Sequence, residues 1–185
     1  MNNKLKKNII FSAVCAALIA FDQWTKAWMV ANLKGKPNIV WIKNVFELEY
    51  LENTGAAFSS FSGRQVFLLV LTMIILIGSI VEFLRIPADK KYGWLRFSFA
   101  LLIAGAIGNM IDRFKQGYVV DFLYFVPINF PRFNVADCYI TVSAILLAVL
   151  IFLVYSDADS AFLFFIKNTE DKEEPEQEKD ETDAL

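Results

Sequence analysis

The run V66-F-L-L-V-L-T-M-I-I-L-I-G-S-I-V-E-F-L-R-I86 contains a single acid, Glu82, near its end and one base, Arg85, at its edge. It is long enough to cross a hydrocarbon core of roughly 30 Å at about 1.5 Å per helical residue. Three further stretches read the same way, at about residues 8–26, 94–111 and 139–155. The chain is therefore expected to be an all-α polytopic membrane protein with four transmembrane helices. Composition agrees: 56% of its 185 residues are hydrophobic, and 18 are phenylalanine, more apolar than a water-soluble domain of this length.

Charge divides the chain in two. Residues 167–185 hold nine acids against three bases, whereas the rest holds 11 acids against 15 bases. The expected organisation is a membrane domain over residues 1–160, followed by a short apolar segment and an acidic, disordered tail over 161–185. Lys4, Lys6 and Lys7 precede the first apolar run as they would in a signal peptide, and Ser12-Ala13-Val14-Cys15 faintly resembles a lipoprotein cleavage box. However, Val14 stands where a small residue is needed and the run continues past it, so an uncleaved first span is expected. Four bases crowd the connection 85–96, against four in the 34 residues 32–65 and three in the 27 residues 112–138. Both termini should then be cytoplasmic.

Residues 32–65 are too many for a plain connector. Pro37-Asn38 reads as a turn, followed by strand-like Ile39–Ile42 and a partly alternating Val45–Leu51, which predicts a small extracytoplasmic β-sheet or cradle.

The polar residues collect at one level. Asp22 sits roughly 21 Å along the first span, and Asn109 and Asp112 roughly 23–27 Å along the third. Asn134 and Asp137 immediately precede the fourth span, and Asn53 and Asp121 fall in outer loops. All reach the extracytoplasmic face, where charges set this deep need a polar interior. Bland readings cover several of them. Lys26 reads as the i,i+4 partner of Asp22, Asp112-Arg113 as a span-ending couple, Ala104 and Gly108 as a helix-packing pair, and Trp24, Trp28 and Trp94 as interface anchors. Cys15 and Cys138 read as small hydrophobes.

The chain contains no histidine. That excludes Ser-His and Cys-His nucleophile pairs and most zinc sites, leaving carboxylates, a Ser-Lys pair or an external cofactor for any hydrolytic chemistry. Asp121 in Val119-Val120-Asp121-Phe122 and Asp137 in Phe133-Asn134-Val135-Ala136-Asp137 both lie in apolar settings that raise a carboxyl pKa. Two such groups brought together tend to share a proton, the state in which one can activate water while the other polarises a carbonyl. Spacing alone does not separate this from ordinary loop acids.

Five segments in order do. Asp22-Gln23-Trp24-Thr25-Lys26, Glu52-Asn53-Thr54-Gly55-Ala56-Ala57-Phe58-Ser59, Gly108-Asn109-Met110-Ile111-Asp112-Arg113, Val119–Phe122 and Phe133–Asp137 together resemble the bacterial lipoprotein signal peptidase (type II signal peptidase) family over roughly residues 8–155. The acidic tail and Ala104, where glycine is common, depart from its pattern. The resemblance implies an intramembrane aspartyl endopeptidase with Asp121 and Asp137 as catalytic dyad and no metal or organic cofactor. It implies a diacylglyceryl prolipoprotein as substrate, cut just before the lipidated cysteine, and sensitivity to a globomycin-type cyclic peptide. Asp22, Asn53, Gly55, Asn109, Asp112, Arg113 and Asn134 would support the dyad or the substrate. A monomer in the bacterial cytoplasmic (inner) membrane is expected, in contact with lipid and with no nucleic-acid partner.

Competing readings remain at this point. An ion or proton transporter would need a polar path across the membrane, but the second span offers only Glu82 near its inner end. A non-catalytic lipoprotein chaperone would not need both aspartates. A presenilin-type protease would carry Tyr-Asp and Gly-x-Gly-Asp within helices, and neither occurs.

Overall fold

The computed structural model describes residues 3–55, 65–156, 159 and 163. The Ala56–Ser59 part of the second motif and nearly all of 161–185 lie outside the described residues. Four long helices form the body: α1 (Asn3–Leu33), α2 (Gln65–Arg85), α3 (Gly93–Gln116) and α4 (Val135–Val149), the last continued by a π-helical turn at Leu150–Val154. By length and apolarity, three of these qualify as membrane spans: the stretches Val66–Arg85, Lys90–Gln116 and Val135–Val154. The fourth expected span, 8–26, lies within α1.

α3 is the central helix, packed against α1, α2 and α4. Its chain is buried through Ala104, Gly105, Ala106 and Gly108, where small side chains let the neighbouring helices approach. By contrast, α2 and α4 expose Ile74, Ile77, Val142, Ile145 and many other large apolar groups, as lipid-facing helices do. At one end of the bundle Ile86, Leu95, Phe99 and Leu150 form an apolar cluster. Beside it the buried Arg96 donates through Nη1 to the Ile86 carbonyl at 3.0 Å.

The other end carries the sheet. With 31 residues α1 is about 46 Å long, so its last turns project beyond a 30 Å apolar layer. Met29 and Leu33 on that projection pack with Val120 and Phe122 of strand β3 (Val119–Phe125). β3 pairs antiparallel with β2 (Phe46–Asn53), which pairs antiparallel with β1 (Ile39–Ile42), giving the order β1-β2-β3.

The expected small sheet is present, with a third strand, β3, where an outer loop was expected. The boundaries also moved. α3 runs past residue 111 to Gln116 and stops at Gly117, whose φ of 80° is a left-handed cap conformation that glycine adopts without Cβ strain. This turns the chain straight into β3. Similarly, α4 begins at Val135, so Asp137 lies inside its first turn rather than before the span.

Candidate active site

Asp121 sits opposite Leu51 in the β2–β3 register, and Asn53 lies two residues further along the same face of β2. The alternation of β3 sends Val120 and Phe122 toward α1, while Val119 and Asp121 line a cavity of about 540 Å³. Asn53 and Asp121, expected in loops, are thus strand residues. The Asn53 side chain donates through Nδ2 to Asp121 Oδ2 at 2.7 Å, and its Oδ1 accepts the Gly55 N–H at 2.9 Å. Because the second bond fixes which end of the amide is oxygen, the nitrogen must face Asp121.

Asp137 enters the same cavity from the start of α4. Asn134 is the helix N-cap. Its Oδ1 accepts the Asp137 N–H at 3.1 Å, and Asp137 Oδ2 accepts the Asn134 N–H at 3.1 Å, a reciprocal capping box. The remaining Asp137 oxygen, Oδ1, accepts Asn109 Nδ2 from α3 at 2.7 Å. Asn134 Nδ2 donates both to Asp121 Oδ1 at 2.6 Å and to Asn109 Oδ1 at 3.1 Å. The two carboxyl groups are therefore joined through two amides.

Asp121 is 1% exposed. Its pKa is pushed up to about 7, mainly by burial and next by the neighbouring Asp137 carboxylate. The amides of Asn53 and Asn134 and the charge of Lys26 pull in the other direction. A carboxyl poised there can hold or release a proton near neutrality.

Beneath the pair lies a buried ionic layer. Lys26 Nζ is 3.0 Å from Asp22 Oδ2 and 3.1 Å from Asp112 Oδ2, and donates to Asn109 Oδ1 at 2.9 Å. Asp22 Oδ1 accepts the Ala136 N–H at 3.0 Å and Asp112 Oδ2 accepts the Val120 N–H at 3.2 Å. These acids thereby anchor the first turn of α4 and the start of β3, the two segments that carry Asp137 and Asp121. Gln23 Nε2 donates to Asp22 Oδ2, Asp112 Oδ1 and the Gly108 carbonyl, at 3.2, 3.0 and 3.2 Å. Gly108 is required at this crossing: a Cβ there would lie 2.5 Å from Asp22 Oδ2. Gly105 is equally tight, with the Ala136 carbonyl 2.6 Å from where a Cβ would stand.

At the rim, Arg113 Nη2 donates to the Gly55 carbonyl at 3.3 Å. Arg132 donates to Glu49 Oε2 through Nε at 3.0 Å and Nη2 at 2.7 Å, with its guanidinium carbon 4.0 Å from the Tyr124 ring centroid. Among the described residues, no group of three or more His, Cys, Asp or Glu side chains is placed to hold a metal ion.

All nine residues singled out from sequence come together here. Lys26 pairs with Asp22 as expected, and it is in addition a 3%-exposed cation that links α1 to α3 through Asp112. Gln23, Gly105 and Arg132 were not expected in the site. The first two fall in or next to motifs already noted. Arg132 carried no signal short of knowing that β3 exists.

A family model described as signal peptidase (SPase) II matches residues 14–153. The lipoprotein signal peptidase of Streptococcus thermophilus is 41% identical over 145 residues, covering 78% of this chain and 94% of that protein. The lipoprotein signal peptidase of Lactococcus lactis subsp. lactis is 41% identical over 148 residues, covering 80% and 95%. A bacterial membrane enzyme solved by the in meso method at 2.3 Å resolution superposes with a TM-score of 0.67 at 28% identity, over 91% of this chain and 94% of that one. A second, solved at 1.9 Å, gives a TM-score of 0.67 at 30% identity, over 79% and 94%.

Proposed function

Since the chain belongs to the signal peptidase II family, we propose that it is an aspartic endopeptidase that removes the signal peptide of diacylglyceryl-modified prolipoproteins, cutting just before the lipidated cysteine. One observation carries the reading: Asp121 and Asp137 line a single cavity, each accepting hydrogen bonds at both oxygens within one shared amide network.

In this mechanism the ionised member of the pair takes a proton from a water molecule, whose oxygen attacks the scissile carbonyl. The protonated member donates to the carbonyl oxygen as the tetrahedral intermediate forms. The carboxyl protonated by the water then gives its proton to the departing amide nitrogen as the C–N bond breaks, and the other carboxylate takes a hydroxyl proton back from the intermediate, which restores the shared-proton state. Asn53, Asn109 and Asn134 hold both carboxyls in place, so little reorganisation accompanies the reaction. Asp22 and Asp112 fix the backbone beneath them. Arg113 and Gly55 sit where an extended peptide would enter, and the sheet forms the wall along which it lies. Diacylglycerol would stay in the bilayer beside the apolar faces of Ile140 and Val142, which line the same cavity.

The enzyme would work as a monomer in the cytoplasmic membrane, with both termini inside and the sheet outside. A globomycin-type cyclic peptide would compete for the same cavity.

The test is cleavage of a purified lipidated precursor in detergent or liposomes. Asp121→Asn and Asp137→Asn should each lower turnover at least 10³-fold, on the order expected for loss of an acid–base group, while leaving the protein folded. Full processing by either variant removes that residue from the dyad. A precursor without diacylglycerol should be cut at least tenfold more slowly. Equal rates with and without the lipid would overturn the assignment of the substrate.

A further inference from the structure

The layer under the dyad contains a charge that the proposed chemistry has not used. We propose that Lys26 is a positioning residue for the reaction: its buried ammonium, relayed through the Asn109 amide, sets the ionisation state of the Asp121–Asp137 pair. The inference rests on the peptidase reading above.

An ammonium can only donate, so the Asn109 atom facing Lys26 Nζ at 2.9 Å must be the carbonyl oxygen. The Asn109 nitrogen is then committed to Asp137 Oδ1 at 2.7 Å. Asn134 Nδ2 shares the same Asn109 oxygen while reaching Asp121 Oδ1. The chain of donors therefore runs from the cation through Asn109 to Asp137, while Asn134 donates separately to the same Asn109 oxygen and to Asp121. Each link polarises the next in a buried setting. The geometry also favours this cation over a purely structural one. Asp22 already receives Gln23 Nε2 and the Ala136 N–H, and Asp112 receives Gln23 Nε2 and the Val120 N–H, so neither acid depends on Lys26 alone.

The charged and titratable groups that face the pair come from every packed element described. α1 brings Asp22 and Lys26, α3 brings Asp112 and Arg113, β3 carries Asp121, and α4 carries Asp137 and Cys138, while β2 contributes the neutral Asn53 and the connection before α4 brings Arg132, paired with Glu49. Lys26 and Arg113 then balance Asp22 and Asp112, and Arg132 balances Glu49, leaving the pair free to keep a single negative charge. Without Lys26 the surroundings become net negative. The pair would hold both protons to higher pH, and no carboxylate would be left to activate water.

The experiment is the pH dependence of kcat/KM for a lipidated precursor, measured on the full chain with Lys26→Gln, Lys26→Arg and the double variant Asp22→Asn/Lys26→Gln. The double variant removes an acid with the base, so its surroundings keep the original net charge. Loss of the cation alone, in Lys26→Gln, should move the acid limb upward by roughly half to one pH unit, with KM changed less than kcat. The double variant and Lys26→Arg should both keep the limb near its original position. An unmoved acid limb with a uniformly lower rate in Lys26→Gln would assign Lys26 a structural role and overturn the inference, as would a limb raised just as far in the double variant. So would a loss of turnover that Arg does not restore. Turnover retained by Asp121→Asn in the same assay would instead overturn the peptidase reading, which keeps the two failures distinct.

Discussion

Asn134 and Asp137 hold each other: the side chain of each accepts the backbone N–H of the other, at 3.1 Å in both directions. One carboxyl of the proposed pair is therefore also the N3 residue of a helix cap. Folding of α4 and the aim of its carboxyl are one event, because a frayed first turn would release both.

Replacing Asn134 separates its two tasks. Asn134→Ala should destabilise the protein by about 1–2 kcal/mol, the usual cost of losing an N-cap, and abolish turnover. Asn134→Ser keeps a capping oxygen but cannot reach Asp121. It should recover most of the stability, measured by thermal unfolding in detergent, without recovering cleavage. Restored activity in the Ser variant would show that the Asn134–Asp121 bond is dispensable.

The raised pKa of Asp121 gives a pH dependence with a defined sign. Its ordinary value near 4 applies in the unfolded chain, and about 7 in the folded one. The folded state thus binds the proton more tightly. This contribution to stability is fully present below pH 4 and is lost as pH rises from 4 to 7. Wild-type protein should lose stability over that window relative to Asp121→Asn, which has no proton there to lose. Cleavage should likewise decline above about pH 7 as the shared proton leaves. Parallel stability curves for the two proteins between pH 4 and 7 would contradict the assignment.

At the crossing of α1 and α3, Gly108→Ala would place a methyl 2.5 Å from Asp22 Oδ2 and 3.3 Å from the Ala136 Cβ. Asp22 holds the Ala136 N–H, so relief of the clash must shift either the helix or the carboxylate. A loss of about 1–3 kcal/mol is expected, with turnover falling more than tenfold. Gly78→Ala, where a Cβ meets nothing within 4 Å, is the matched control and should leave both nearly unchanged.

The rim should affect binding rather than chemistry. Arg132 is partly exposed, bonded to Glu49 and stacked on Tyr124, and lies outside the amide network. Arg132→Ala should raise KM several-fold, equivalent to about 1 kcal/mol, and leave kcat within roughly twofold. A fall in kcat with constant KM would place Arg132 in the chemistry instead.

Sequence and structure agree most closely where a single physical signal acts locally. Continuous apolar runs located α2, α3 and α4 to within a few residues, since crossing hydrocarbon leaves little freedom. α3 exceeds its expected end because Asp112 is buried and Arg113 half-buried at the site while 114–116 are exposed, so apolarity stops before helicity does. β3 was invisible for a different reason. Asp121 interrupts the run Val119–Phe125, and the strand that stabilises it, β2, lies more than 60 residues earlier. The pairing of Lys26 with Asp22 is legible at i,i+4, whereas its second acid and its amide come from α3. The cap was readable in hindsight: Asn134 followed three residues later by Asp137, before a long apolar run, is a helix-start pattern.

The anchoring of Ala136 by Asp22, across 114 residues, has a consequence for the living cell. A ribosome delivers α1, the sheet hairpin and α3 first, and Asp137 arrives last, on a helix whose start is secured by a residue made near the beginning. A product that stops before α4 carries Asp121 without Asp137. Completion of the cavity therefore waits on the seating of α4 among neighbours that were made before it.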